Sequence, residues 1–217
     1  MNGIDSHSWA ASWSDRGFRR QIIGTFPLLA VVLLSFTRFL EFAEHRPGVV
    51  FADPLLSLYD PVDLTWVTFG LIYLGLVVGL FFLATHPETL LLAIQSYIVM
   101  VVIRTAAMYL LPLEAPPQLI PLKDPFVQLF GSGAVPTKDL FFSGHTSTLF
   151  LLFLTVRNVR VKALFLFCTV GVAFCVLRQH VHYTVDVFCA PFFSYVAYRV
   201  ALISRRCWAR PAVTDQG

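Results

Sequence analysis

The sequence predicts an all-α, polytopic membrane protein of six transmembrane helices with both termini cytoplasmic. Three observations carry that expectation. Apolar residues make up 57% of the chain and charged residues 13%, against roughly 45–50% and about 25% in soluble domains, so lipid is the solvent this fold expects. Six stretches approach the ~20 apolar residues that a helix needs to cross a bilayer. Lysine and arginine gather in three segments that a six-span path puts on one side.

The chain has 217 residues, which suits one domain. It divides into a polar tail over 1–20, a six-helix membrane domain over 21–204 and a second tail over 205–217. The first tail holds Asp5, His7, Asp15, Arg16, Arg19 and Arg20. It lacks a short apolar core ending in a small-residue cleavage site, so it reads as a tail rather than a signal peptide. The expected spans are 21–42, 64–85, 89–113, 145–156, 161–177 and 183–204. The fourth is the shortest and spans only if it starts near Phe141. Pro47, Pro54 and Pro61 break the chain after the first span. Pro112, Pro116, Pro117, Pro121, Pro125 and Pro136 make 113–139 a long non-helical loop. A loop of that length is usually functional or disordered, and because it leads into the strongest motif a lid or headgroup-recognition role is expected.

Arg16, Arg19 and Arg20 precede the first span, Arg157, Arg160 and Lys162 join the fourth to the fifth, and Arg205, Arg206 and Arg210 follow the sixth. Cationic loops stay cytoplasmic. The long loop and the starts of the fourth and sixth spans then face the extracytoplasmic side, whether periplasm, lumen or exterior. The net charge of +3 is a topology signal on this reading and implies no nucleic-acid partner. Cys168, Cys175 and Cys189 sit in apolar runs and Cys207 in a basic tail, so all four read as free thiols with no metal-binding CxxC pair.

Two clusters on the outer side carry chemistry. One is Asp139-Leu-Phe-Phe-Ser143-Gly144-His145-Thr146, and the other is His180-Val-His182-Tyr183-Thr184-Val185-Asp186. Ionisable groups at such depth are costly and read as functional by default. On a helix His182 and Asp186 would lie on one face. The carboxylate would then accept one imidazole N–H and leave the other nitrogen as a base or nucleophile. A structural cap or a polar helix–helix contact is the plainer reading of the same pair. Ser143-Gly144-His145 at a helix start combines a capping serine, a glycine that lets backbone approach an anion, and free N–H groups at the positive dipole end. An ordinary N-cap followed by an interfacial histidine is the plainer reading there. Convergence of both clusters on one membrane face favours a phosphoryl-transfer site.

These strings resemble the sphingomyelin synthases and their relatives in the lipid phosphate phosphatase superfamily, which includes the type 2 phosphatidic acid phosphatases. Asp139-x3-Ser143-Gly144-His145-Thr146 is similar to the synthases' SGHT motif, His182-Tyr183-Thr184-Val185-Asp186-Val187 to their HYTxDV motif, and Arg104 with Met108-Tyr109 and Pro112 to their third-span arginine motif. Thr137 and Lys138 replace the cysteine and glycine of the synthases, Ala52-Asp53-Pro54-Leu55 is a loose echo of their proline-rich signature, and the phosphatases' lysine-plus-arginine-proline motif is absent. The resemblance implies that His182 is the nucleophile, Asp186 orients it and His145 is the general acid and then base. It implies phosphate contacts from Ser143, Gly144, Arg104, Arg178 and Lys138, support from Asp139, Tyr183 and His180, and no metal or other cofactor. The partners implied are a phospholipid donor and either a lipid alcohol, ceramide or diacylglycerol, or water. Transfer between lipids is the leading expectation, hydrolysis of a lipid phosphate the alternative, and a non-catalytic membrane scaffold the minor one. Two readings fit Arg104, a phosphate contact and simple snorkelling. Two also fit His180, support for the site and a loop position. Arg38 and Glu41 are expected to form a local i,i+3 ion pair.

Overall fold

The computed structural model describes residues 8–123 and 137–208, with side chains through Arg205. The middle of the long loop, the outermost parts of both tails and the Cys207 side chain lie outside the described residues. Within them the chain forms no strands, one 3-10 turn at Leu56–Leu58 and seven α-helices. These are α1 Trp9–Ser14, α2 Arg16–His45, α3 Thr65–Ala84, α4 Pro87–Leu110, α5 Gly144–Thr155, α6 Val159–Arg178 and α7 Thr184–Trp208. Five of them, α2, α3, α4, α6 and α7, are long and apolar enough to cross a membrane.

The helix starts follow from local chemistry. Asp15 accepts from the N–H groups of Gly17 and Phe18 and caps α2. Asn158 does the same for α6 through Arg160 and Val161, and Pro87 opens α4 where no N–H is needed. Caps also explain why residues 9–14 and 16–20, read as tail, are helical. Ser8 caps α1, and the Trp9 indole donates to the Ala84 carbonyl at the end of α3.

The fourth expected span differs most from expectation. α5 has 12 residues, about 18 Å at 1.5 Å per residue, short of the ~30 Å hydrocarbon core. The helix does not extend back to Phe141 because the backbone ahead of it is engaged sideways. Arg104 takes the carbonyls of Phe142 and Asp139, and the Ser143 N–H donates to the Asp186 carbonyl. Segment 137–155 still runs the length of the bundle. Its start is held by Glu44 near the end of α2, and its finish packs with Leu83 and Ala93 beside the α3–α4 turn.

α5 is the central helix, packed against α3, α4, α6 and α7, while α2 lies outside against α4. One core joins Phe69 and Ile72 of α3, Leu149 of α5 and Cys168, Val172 and Val176 of α6. Gly75 permits the α3–α5 approach, since a Cβ there would stand 2.4 Å from Leu149 Cδ2. Small residues at helix contacts do this work where lipid supplies no hydrophobic drive. Outward-facing Leu34, Leu80, Phe81, Phe167 and Phe188 are exposed and give these helices an apolar outer surface of the kind a bilayer would cover. Arg38 and Glu41 pair at 3.1 Å near the end of α2.

At the end where α2 and α4 finish, backbone bonds knit the loops. Across the α2–α3 and α4–α5 loops the Val49 N–H donates to the Pro112 carbonyl and the Glu114 N–H donates to the Val49 carbonyl, while Val62 donates to Arg178 and Ile120 donates to Gln179. The candidate residues are carried on this knitted end.

Candidate active site

Helix α7 begins at Thr184, so His182 projects from the turn ahead of it rather than from the same helical face as Asp186. The turn is built by Asp186 itself, whose Oδ2 accepts from the Tyr183 N–H at 3.0 Å. His182 Nδ1 is left 3.5 Å from that Oδ2, a charge contact longer than the 2.7–3.2 Å of a full hydrogen bond. Nδ1 and Asp186 Oδ1 have no hydrogen-bond partner among the described residues. Both side chains are buried, at 2% and 0% exposure, where charge attraction is little screened.

The Ser143 N–H bond to the Asp186 carbonyl, at 3.2 Å, ties the two motifs together. Ser143 stands at the N-cap of α5, yet its hydroxyl donates to Thr146 Oγ1 instead of capping a backbone N–H. The expectation of a serine cap is corrected: Ser147 uses its N–H and hydroxyl to take the Ser143 carbonyl, and the Ser143 side chain completes a hydroxyl chain. Gly144 lies against the Arg104 guanidinium, where a Cβ would be 3.0 Å from Cζ. Gly144→Ala is expected to push the guanidinium off the start of α5. It should cost about 1–3 kcal/mol as overpacking does and lower turnover, which thermal melting and an activity assay on the same preparation would check.

Arg104 is 4% exposed. Its Nε donates to the Phe142 carbonyl at 2.7 Å, its Nη2 stands 2.7 Å from Asp139 Oδ1, and the Phe36 ring lies 5.4 Å away. The Asp139 contact is close but off the hydrogen-bond direction, so Oδ1 counts as unbonded while the charge pairing stands. Snorkelling does not describe such a residue, because its charge points into protein.

Two cavities meet at His145 and Asp139. One of about 180 Å³ is lined by Leu122, Thr137, His145 and His182. The other, of about 440 Å³, runs past Phe36, Leu76, Tyr97 and Met100 to Arg104, Gly144 and His145. His145 also meets the Phe69 ring edge-on.

Three residues expected at the phosphate or in its support lie elsewhere. Lys138 donates to Glu114 and to the Arg46 carbonyl, each at 2.8 Å, so its charge is taken by a loop clamp. Arg178 lies over the Tyr59 ring at 4.6 Å. His180 adopts φ 55°, rests against Tyr59 and is buried with Nε2 unpartnered. It lines an outer cavity of about 600 Å³ with Asp53, Asp60 and Tyr183, so of its two readings the loop position is the one seen. Tyr183 ties the loops, donating to the Glu114 carbonyl and accepting from the Phe51 N–H.

Sequence reasoning missed Glu44, Asp53 and Gln179. Glu44 accepts from the Thr137 N–H and hydroxyl and the Lys138 N–H, which fixes the strap into Asp139. Asp53 accepts from the Thr184 N–H and hydroxyl and so caps α7 from another loop. The Ala52-Asp53-Pro54 echo was its only signal. Gln179, fully buried, accepts from the Leu64 N–H and donates to Thr65 and Ile120.

These clamps titrate. Burial raises the Asp53 pKa, but the Thr184, Leu56 and Leu55 donors more than offset it and hold the carboxyl below its ordinary value. The Lys138 and Gly48 donors depress Glu114. Burial and then Arg178 lower the His180 pKa. Each lowered folded-state value contributes stability that is complete above the unfolded pKa and lost as pH falls through the folded one. The melting temperature is therefore expected to decline in two stages on acidification. The first lies below about pH 6.5 from His180 and the second below about pH 4 from the carboxylates, and Asp53→Asn should shrink the second.

Among the described residues no group of three or more His, Cys, Asp or Glu is placed to hold a metal ion. What the arrangement offers is a buried imidazole beside a carboxylate, a second imidazole, and an arginine with the Gly144 backbone close by.

Residues 138–202 match the family described as PAP2 superfamily C-terminal. The matched stretch takes in His145, His182 and Asp186 and leaves Arg104 and the clamps Glu44 and Asp53 outside. It supports membership of the lipid phosphate phosphatase superfamily, and with it an enzyme of the lipid phosphatase or phosphotransferase type. No curated protein and no solved structure matches the chain.

Proposed function

We propose that this protein is a membrane-embedded lipid phosphotransferase that moves a phospho-headgroup from a phospholipid to a lipid alcohol through an intermediate on His182. The observation that carries the reading is the meeting of the two cavities at His145. The larger passes between apolar side chains of α2, α3 and α4 and ends at Arg104 and the start of α5, a shape suited to a lipid arriving from the bilayer. The smaller holds His182.

In the first step His182 Nε2 attacks phosphorus as the bond to the leaving lipid oxygen breaks, and His145 gives that oxygen its proton. Asp186, at His182 Nδ1, balances the charge the imidazole gains. On this reading Arg104 and the Gly144 N–H, at the larger cavity, meet the developing charge on the phosphoryl oxygens, where preorganised donors contribute most. Ser143, fully buried with its hydroxyl on Thr146, holds the helix start that carries Gly144. In the second step His145 takes the proton of the acceptor hydroxyl, whose oxygen attacks phosphorus and releases His182. Ceramide or diacylglycerol is the acceptor on this reading. Water in the same place makes the enzyme a lipid phosphate phosphatase, a reading that shares the superfamily match with the transferase. With His182 buried and His145 half-buried, both lining one cavity, a non-catalytic scaffold is the weaker account.

The membrane reading has six crossings, with segment 137–155 as a composite fourth. Both termini are cytoplasmic and the His145–His182 end is extracytoplasmic, following Arg16, Arg19, Arg20, Arg157, Arg160 and Lys162. A cysteine at exposed Ser57 should react with an impermeant reagent from outside intact cells, and protection there reverses the orientation.

Reaction class is tested by incubating the protein in lipid with labelled phospholipid, with and without ceramide or diacylglycerol. Acceptor-dependent new phospholipid that vanishes in His182→Ala supports transfer. Acceptor-independent release of phosphate that vanishes in the same variant supports hydrolysis, and neither product refutes both.

A further inference from the structure

A second cavity system lies at the far end of the bundle. Between α2, α4 and α7 a cleft of about 320 Å³ is lined by Arg20, Gly24 and Leu28 of α2, Gln95 and Ile98 of α4, and Ala201 and Arg205 of α7. Gln95 stands nine residues before Arg104, about 13 Å along α4, so the cleft is separate from the histidines.

All three helices grade the same way. Moving inward, Arg20 gives way to Leu28, Gln95 to Ile98 and Arg205 to Ala201, from charged or polar to apolar. The outer end sits at interface depth, marked by Trp9 and Trp13 of the neighbouring α1, which are 40% and 48% exposed. Indole rings favour that level.

The charges facing the cleft leave a surplus of cation. Arg205 is paired with Glu88, whereas Arg20 has no carboxylate partner among the described residues. Gln95 gives its amide N–H groups to Thr25 Oγ1 and Gln21 Oε1, while its Oε1 is buried without a partner. An occupant that satisfies this cleft brings an anion for Arg20, a hydroxyl for Gln95 and a hydrocarbon chain for the floor.

We propose that the cleft binds an anionic glycerophospholipid with a hydroxyl-bearing headgroup, at a site distinct from catalysis. Basic pockets between membrane helices on the cytoplasmic side are the recurrent setting for such binding. Gly24 is the position to probe, because a Cβ there meets nothing within 4 Å and a larger side chain fills the cleft without displacing core.

The test uses the full chain in detergent, titrated with phosphatidylglycerol or phosphatidylcholine, with bound lipid counted by native mass spectrometry. Wild type should retain phosphatidylglycerol preferentially. Arg20→Gln should weaken that retention about fivefold, the share of one interfacial cation. Gly24→Leu should weaken it by a similar or larger factor, with helix content and lipid-free melting unchanged in both. His182→Ala should bind as wild type does, which separates this site from the proposed reaction. Equal retention of the two lipids by wild type, needing no variant, overturns the proposal. So does unchanged phosphatidylglycerol binding in both cleft variants, or displacement of the lipid by glycerol phosphate alone, which would reassign the cleft to a soluble phosphate.

Discussion

Replacing His182 with alanine is expected to lower turnover on the order of 10⁴-fold or more, the scale of removing a nucleophile whose partners act as a unit. Burial and one carboxylate set the size of the loss. His182 is 2% exposed, with Nδ1 held 3.5 Å from Asp186 Oδ2, so the protein fixes its position and places a carboxylate where the imidazole gains charge during attack. His145→Ala should cost roughly 10²–10⁴, the range for a general acid and base. Asp186→Asn should fall between wild type and His182→Ala, because the amide keeps the shape and the acceptor for the Tyr183 N–H but loses the charge. Alanine at a buried position also removes packing, so each variant is compared at equal helix content. Wild-type turnover in all three would show that the assigned residues do not carry the chemistry.

Arg104→Ala is expected to produce the largest stability loss among the site variants, about 3 kcal/mol. That is the low end for breaking a buried ion pair, because Asp139 keeps 29% side-chain exposure while Arg104 has 5%. The change leaves the Phe142 carbonyl and the Asp139 carboxylate without their cation and frees the strap ahead of α5. Arg104→Lys should recover only part of the loss, since an ammonium lacks the planar fork that reaches two partners. Melting of Arg104→Ala, Asp139→Asn and the double variant in one detergent should give a coupling of about 0.5–3 kcal/mol. Additive losses would mean that the pair is not a unit, and Arg104 would then act on activity alone.

The helices were legible because lipid imposes a strong rule. Nearly every lipid-facing position must be apolar, so hydropathy located α3, α4, α6 and α7 to within a few residues. α2 ran longer than hydropathy suggested because Asp15 caps a polar first turn that composition reads as tail. α5 ran shorter because its preceding backbone pairs with Arg104 and Asp186, and tertiary bonds of that kind leave no periodic trace. The same limit holds at the site. His145, His182 and Asp186 stand out as ionisable groups in apolar surroundings, and the motifs bring them to one end of the bundle. Lys138 and Arg178 carry the charge a phosphate needs but are engaged by Glu114, at the other end of the same long loop, and by Tyr59, more than a hundred residues away. Glu44 and Gln179 escaped notice because a clamp made by tertiary contacts looks, in sequence, like any polar residue near a helix end.

The most direct test of the central claim is a search for the covalent intermediate. Protein in nanodiscs is mixed with phosphorus-labelled lipid substrate, quenched in base within the first turnover, and analysed for acid-labile, base-stable phosphohistidine on the peptide that contains His182. The account predicts label on that peptide in wild type and none in His182→Ala. Substrate turnover with no labelled histidine, or label that persists in His182→Ala, would contradict it.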